Sequence, residues 1–137
     1  YNAVLRVKKK CEGILRPGIT LNDYHSKVGE FMTEELLKLG LLTQKEVDEA
    51  DEDWPAYKKY FMHGTSHYIG IDTHDVGTWS DPIPEGSVFT IEPGIYIPDE
   101  NLGIRLEDDY VVQEEGLTNL MGDIPIEIED IEEAMAK

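Results

Sequence analysis

The sequence is poor in cysteine, in long hydrophobic runs and in basic side chains. Cys11 is the only cysteine in 137 residues, so the chain can form neither an internal disulfide nor a thiolate metal cluster. Sparse cysteine is typical of a reducing compartment, and we expect the protein to be cytoplasmic. No apolar run approaches the roughly 20 residues of a membrane-spanning helix, and no segment resembles a signal peptide.

Basic side chains are outnumbered by acidic ones, 12 to 29, which gives a formal net charge of −17. A surface of this charge repels phosphate backbones and anionic lipid headgroups, so the sequence predicts no nucleic-acid partner and no membrane partner. Part of the acidity lies in two runs, residues 46–53 and 127–133, whose pattern is typical of solvated helix faces.

The chain begins with Tyr1 instead of Met, and residues 1–7 already have the pattern of a helix interior. We therefore expect a fragment of a longer protein. Its 137 residues are enough for one domain with a single core.

The first part of the chain is predicted to be helical. Apolar residues recur at near-helical spacing from Asn2 to Leu15 and again from about Leu21 to Leu39, where Thr20 is the predicted N-cap. Thr43 and Glu46 have capping-box spacing and predict a short acidic helix.

From His63 onward glycines and prolines become frequent, and the apolar period shifts towards two. The predicted strands cover residues 87–92, 95–97 and 104–112, and the tail at 126–135 is predicted to be helical. Helices followed by strands predict an α+β domain with an antiparallel sheet.

Three of the four histidines, His63, His67 and His74, lie within twelve residues and among glycines. Imidazole is a common metal ligand that titrates near neutral pH, so the cluster indicates metal binding or proton transfer. A purely structural role stays open from the pattern alone. The fourth, His25, is predicted to be a surface or packing residue.

The predicted strands carry carboxylates. Glu92 is followed by Pro93-Gly94, which stops regular pairing and can direct the side chain into a cleft. Arg105 and Glu107 share one face of their strand. This pair is either a solvent-exposed ion pair or part of a binding site held on a rigid face, and the pattern alone leaves both interpretations open.

Three motifs follow one another in a recognisable order. They are His63-Gly-x-Ser-His-x-x-Gly-x-Asp-x-His-Asp-Val-Gly77, Thr90-Ile-Glu-Pro-Gly-Ile-Tyr96 and Gly103-Ile-Arg-Leu-Glu-Asp-Asp109. Together they resemble the pita-bread metallopeptidases, which include aminopeptidase P, prolidase and methionine aminopeptidase. The resemblance implies an incomplete pita-bread fold, an antiparallel sheet with covering helices, in which residues 1–137 are the C-terminal portion of a catalytic domain.

The resemblance also implies roles for single residues. His67, Glu92 and Glu107 would bind two divalent ions, with Glu107 between them. Manganese is the expected metal, and zinc or cobalt are the alternatives. Glu92 would in addition pass a proton to the leaving amine. His63 and His74 would line the substrate site, with His74 placed to stabilise the substrate's carbonyl oxygen.

The resemblance implies roles for two further residues, and it implies two metal ligands that this chain lacks. Arg105 would orient the site and hold Glu107, and Tyr96 would contact the substrate. The full metal site also needs two aspartates that precede the first helix in this family. Asp72 and Asp75 are expected to have local roles and do not replace them. We therefore expect the fragment alone to be inactive.

The expected activity is that of aminopeptidase P. Such an enzyme hydrolyses the bond between an N-terminal residue and a following proline, using a hydroxide held by two metal ions. The alternatives are a prolidase, which cuts only Xaa-Pro dipeptides, and a non-catalytic pita-bread binding module. We also expect a homo-oligomer, because loss of partner strands would expose a sheet edge and apolar surface.

Overall fold

Two long helices occupy the first part of the chain. In the computed structural model, which describes residues 1–136, α1 spans Asn2–Glu12 and α2 spans Leu21–Lys38. The predicted N-cap of α2 is confirmed, since the Thr20 hydroxyl accepts a hydrogen bond of 3.1 Å from the Asp23 N–H. α1 ends earlier than predicted, although Leu15 is only 2% exposed. The side chain of Leu15 continues the apolar spacing although Leu15 lies beyond the C-cap residue Gly13.

Two short helices follow later in the chain. α3 spans Gln44–Asp48, and the predicted capping box of Thr43 and Glu46 is present at its start. α4 spans Ile128–Met135, which confirms the predicted helical tail. Among residues 1–136 no helix has both the length and the apolar character required to cross a membrane.

Five short strands form two antiparallel sheets. β1 pairs with β4, β4 pairs with β5, and β2 pairs with β3. The strands are Val88–Ile91 (β1), Gly94–Ile97 (β2), Leu102–Arg105 (β3), Asp108–Gln113 (β4) and Gly116–Asn119 (β5). The predicted α+β class with antiparallel pairing is confirmed.

The single strand predicted over residues 104–112 is wrong. The structure divides it into β3 and β4, with Leu106 and Glu107 between them. The facing strand is interrupted at the same level, between β1 and β2, at Glu92 and Pro93. Leu106 N–H still donates to the Pro93 carbonyl at 3.2 Å. Pro93 has no N–H to return, so the ladder of hydrogen bonds stops there.

The register is unchanged across this interruption. Ile91 lies opposite Asp108 on one side of it, and Gly94 lies opposite Arg105 on the other. β1 to β4 therefore form one long hairpin with a gap two residues wide in each strand.

The core lies between the two long helices and the β1–β4–β5 sheet. Its fully buried side chains come from one face of each helix and from the inner face of the sheet. They include Val4, Val7, Cys11, Tyr24, Val28, Met32, Phe89, Ile91, Tyr110 and Val112. This packing holds the hairpin against α1, with the buried residues Ile91 and Ile95 on either side of its interruption.

Candidate metal centre

Two carboxylates face each other at the interruption in the hairpin. Because the register is the same on both sides, Glu92 lies opposite Glu107. Directly opposed residues of antiparallel strands point to the same face, about 5 Å apart, and like charges placed this way are destabilising. The arrangement therefore favours a cation between the two side chains.

A third segment brings a histidine to the same place. Residues 65–69 run antiparallel along the free edge of β1, where Glu92 N–H donates to the Thr65 carbonyl at 2.7 Å and Thr90 N–H donates to the His67 carbonyl at 3.2 Å. The His67 N–H donates in turn to the buried Thr90 hydroxyl at 3.1 Å. His67 is thus fixed by the backbone of the same strand that leads to Glu92.

The three side chains converge. His67, Glu92 and Glu107 each offer one ligand atom within 4.8 Å of the others. His67 Nε2 lies 3.3 Å from Glu92 Oε1. Arg105 lies beside both carboxylates, with Nη1 3.7 Å from Glu92 Oε2 and Nε 3.9 Å from Glu107 Oε2. Both distances from Arg105 are longer than a hydrogen bond, so the carboxylate oxygens stay free to bind another cation.

The tautomer of His67 suits a metal ligand. Its Nδ1 lies 3.0 Å from the Tyr68 carbonyl, which can only accept a hydrogen bond. In the neutral ring this assigns the proton to Nδ1 and leaves a lone pair on Nε2, the atom nearest Glu92. Metal-bound histidines commonly donate their other N–H to a backbone carbonyl in this way. A lone pair that faces a carboxylate is unfavourable unless a cation lies between them.

The electrostatics of Glu107 also favour a cation at this site. Partial burial raises the pKa of the Glu107 carboxyl, and the charge of Glu92 raises it further, although Arg105 partly offsets both effects. The folded chain therefore resists the ionised form of Glu107. A divalent cation removes this penalty, and two carboxylates with one imidazole are ligands that Mn²⁺ and Zn²⁺ accept.

A cavity of about 270 Å³ opens beside His67 and Glu92, with His74 and Arg105 also in its wall. The rings of His67 and His74 lie next to each other, with centroids 4.2 Å apart. His63 lies in the same wall, and its Nε2 is 2.7 Å from the Tyr96 hydroxyl. All seven residues singled out in the sequence thus lie in or beside one site.

Sequence reasoning missed Trp79, which also lines this cavity. Its indole packs edge-to-face on the ring of His25, with centroids 4.6 Å apart. Burial lowers the pKa of His25 to about 4, so this histidine is neutral and packs, as predicted. The available signal in the sequence was a tryptophan among the polar residues between Gly77 and Pro82.

The two aspartates of the histidine motif have local contacts, as expected. Asp75 accepts hydrogen bonds from the N–H groups of Ile71 at 2.8 Å and Val76 at 2.7 Å. The Asp72 carbonyl accepts from Gly70 N–H at 3.2 Å. These contacts shape the loop that carries His74.

Comparison with known families agrees with the geometry. The sequence profile of metallopeptidase family M24 matches residues 1–114 of the chain. The chain belongs to metallopeptidase family M24. This confirms the resemblance inferred from the three motifs, and a centre of two carboxylates and one imidazole is in keeping with a metallopeptidase.

Two curated relatives within the family are Xaa-Pro aminopeptidases. The Escherichia coli K12 enzyme is 37% identical over 147 residues, which cover 98% of this chain and 33% of the relative. Xaa-Pro aminopeptidase 3 of Rattus norvegicus is 36% identical over 149 residues, which cover 100% of this chain and 28% of the relative. The chain thus spans 28% to 33% of the length of these M24 relatives.

A solved structure gives the same assignment for the fold. Zinc-substituted E. coli aminopeptidase P in complex with product superposes with a TM-score of 0.87 at 35% identity, over 99% of this chain and 33% of that chain. The α+β arrangement of this M24 chain therefore matches part of the pita-bread domain.

Proposed function

We propose that the protein carrying this chain is a metal-dependent Xaa-Pro aminopeptidase, which removes the N-terminal residue of a peptide whose second residue is proline. The observation that supports it most is the convergence of His67, Glu92 and Glu107 within 4.8 Å in a member of metallopeptidase family M24. In this proposal residues 1–137 are the C-terminal portion of the catalytic domain.

The metal site is proposed to hold two divalent ions, with Glu107 as the ligand shared between them. Mn²⁺ is the proposed metal, and Zn²⁺ or Co²⁺ would also suit these ligands. A pair of such ions lowers the pKa of bound water and polarises the scissile carbonyl. Two aspartates from the chain upstream of Tyr1 are proposed to complete the ligand set, so the 137 residues alone would be inactive.

The remaining groups act on the substrate. His74 is proposed to donate a hydrogen bond to the carbonyl oxygen as negative charge develops on it. Glu92 is proposed to accept a proton from the attacking water and pass it to the leaving nitrogen of proline. Arg105 lies beside both carboxylates and is proposed to keep them oriented. The hydrogen-bonded pair of His63 and Tyr96 is proposed to contact the substrate.

The protein is further proposed to be cytoplasmic, and the isolated chain of residues 1–137 is proposed to form homo-oligomers through surface that lacks its partner strands. Supporting the oligomer, Leu39 and Leu102 are 50% and 47% exposed, and both line an apolar cavity of about 470 Å³ next to Tyr1. Exposed apolar surface of this kind favours association. Sedimentation of the isolated chain at several concentrations that showed only monomers would contradict the proposed oligomer.

The proposed activity is tested on the full-length protein loaded with Mn²⁺. We expect release of the first residue from Xaa-Pro-Yaa tripeptides, at a rate well above that for matched Xaa-Ala-Yaa peptides. Liquid chromatography with mass spectrometry quantifies the released residue. The isolated chain of residues 1–137, assayed in parallel, is expected to release none.

Two other results of the peptide assay would assign a different function to the protein. Cleavage of Xaa-Pro dipeptides alone would identify a prolidase. No cleavage of any peptide with Mn²⁺, Zn²⁺ or Co²⁺ would favour a binding module and overturn the proposal.

A further inference from the structure

A lysine is buried in the middle of α1. Lys8 is only 2% exposed, whereas the side chains of its neighbours Lys9 and Lys10 are 55% and 36% exposed. The Lys8 Nζ donates to Glu12 Oε1 at 2.7 Å, to Asp108 Oδ2 at 2.8 Å and to the Tyr110 hydroxyl at 2.6 Å. An ammonium group has three N–H donors, and here each has its own acceptor.

The carboxylate at the centre of this network belongs to Asp108, the first residue of β4. Asp108 is 9% exposed, and its Oδ2 also accepts a hydrogen bond of 2.9 Å from Asn119 Nδ2 on β5. Its side chain is therefore held from two sides, by a helix and by a neighbouring strand. A buried carboxylate without such partners would be strongly disfavoured.

The residue before Asp108 is the proposed metal ligand Glu107. Adjacent residues of a strand point to opposite faces, so fixing Asp108 towards the core fixes Glu107 towards the metal centre. Direct support for Glu107 is weaker: its carboxylate is 3.9 Å from Arg105 Nε, its side chain is 40% exposed, and it lies in the interruption of the hairpin.

We propose that Lys8 is a positioning residue for Glu107. By holding Asp108 on the core side of β4, Lys8 sets the direction in which the next carboxylate enters the metal centre. The sheet does not do this alone, because its ladder of hydrogen bonds is broken at Pro93, opposite the residue before Glu107. This proposal rests on the proposed function only in requiring that Glu107 binds a cation.

The test is a Mn²⁺ titration of the full-length protein, followed by electron paramagnetic resonance of the free ion. We expect Lys8→Met to weaken binding of the more weakly bound Mn²⁺ by about tenfold, the lower end of the loss typical when a group supporting a ligand is removed. Unfolding temperature and circular dichroism, measured without metal, report separately on folding.

Two controls separate positioning from stability. Lys10→Met makes the same substitution two residues away, at a lysine whose ammonium group pairs with Glu34 and lies over the Phe31 ring. Glu12→Gln removes the negative charge of a different partner of Lys8 and leaves the contact of Lys8 with Asp108. We expect both variants to keep Mn²⁺ affinity within about twofold, even where Glu12→Gln lowers the unfolding temperature.

The outcomes are distinguishable. A folded Lys8→Met variant with wild-type Mn²⁺ affinity would overturn the positioning role. If Lys8→Met does not fold, Asn119→Ala removes another of the donors to Asp108, from an exposed position. Its expected effect is a smaller loss of affinity in the same direction, and no loss would overturn the proposal. Failure of the wild-type protein to bind Mn²⁺ would instead contradict the proposed function.

Discussion

Glu107→Gln in the full-length protein is expected to remove one of two bound Mn²⁺ ions and to lower kcat/KM for Xaa-Pro-Yaa peptides by at least about a thousandfold. The loss should exceed the 10–100-fold typical of groups that only support a ligand, because a neutral amide cannot replace a carboxylate proposed to bind both ions. Electron paramagnetic resonance gives the stoichiometry, and peptide hydrolysis gives kcat/KM.

The same variant should be more stable than wild type in EDTA, which separates lost function from lost folding. The raised pKa of Glu107 means that the folded state binds more protons than the unfolded state between the two pKa values. Stability of the metal-free protein therefore falls as pH rises through that interval. Removing the charge removes this loss, so urea unfolding at pH 7 should show a higher free energy of unfolding for Glu107→Gln.

Glu114→Gln is the matched control, because this exposed glutamate lies in the turn between β4 and β5. It should bind two Mn²⁺ ions and hydrolyse peptides like the wild type. If Glu107→Gln also bound two ions with wild-type affinity, the assignment of this carboxylate as a metal ligand would be wrong.

His74→Ala is expected to lower kcat by about a hundredfold to a thousandfold while Mn²⁺ stoichiometry and affinity stay the same. His74 is exposed in the cavity wall, and its ring lies beside that of His67. A donor aimed at a developing oxyanion acts mainly in the transition state, and losing one such donor costs about this much. Steady-state kinetics on Xaa-Pro-Yaa peptides measure the effect.

A conservative substitution of His74 tests the same role. His74→Gln keeps an N–H donor at a similar distance and should recover part of the lost kcat. If His74→Ala instead released Mn²⁺, the residue would be part of the metal site. If kcat did not change, the oxyanion role would be excluded.

The candidate site could be predicted largely because its residues sit in local motifs. Pro93-Gly94 indicated that Glu92 ends a strand, alternation placed Glu107 on one face of its strand, and the family resemblance supplied their partner His67. The sequence could not show that the two glutamates lie opposite each other. The pairing of the two glutamates depends on the register of the hairpin and on the gap that Pro93 opens in it. Because the sequence did not show this gap, residues 104–112 were wrongly predicted to form one continuous strand.

Contacts between distant parts of the chain were the least predictable. Lys8 belongs to a run of three lysines, which is typical of a solvated surface, yet its acceptors Asp108 and Tyr110 lie 100 and 102 residues away. β5 was missed for a different reason. Its residues are mostly exposed and lack apolar alternation, so no strand pattern is visible there in the sequence. The strand forms because the tight turn that ends at Gly116, where φ is +123°, folds it back on β4.

Diffraction from crystals of the full-length protein grown with Mn²⁺, recorded on both sides of the manganese absorption edge, tests the metal centre most directly. Anomalous difference density should show two peaks, both at coordination distance from the Glu107 carboxylate, with His67 Nε2 and Glu92 among the other ligands. Anomalous peaks elsewhere, with none between residues 67, 92 and 107, would contradict the account.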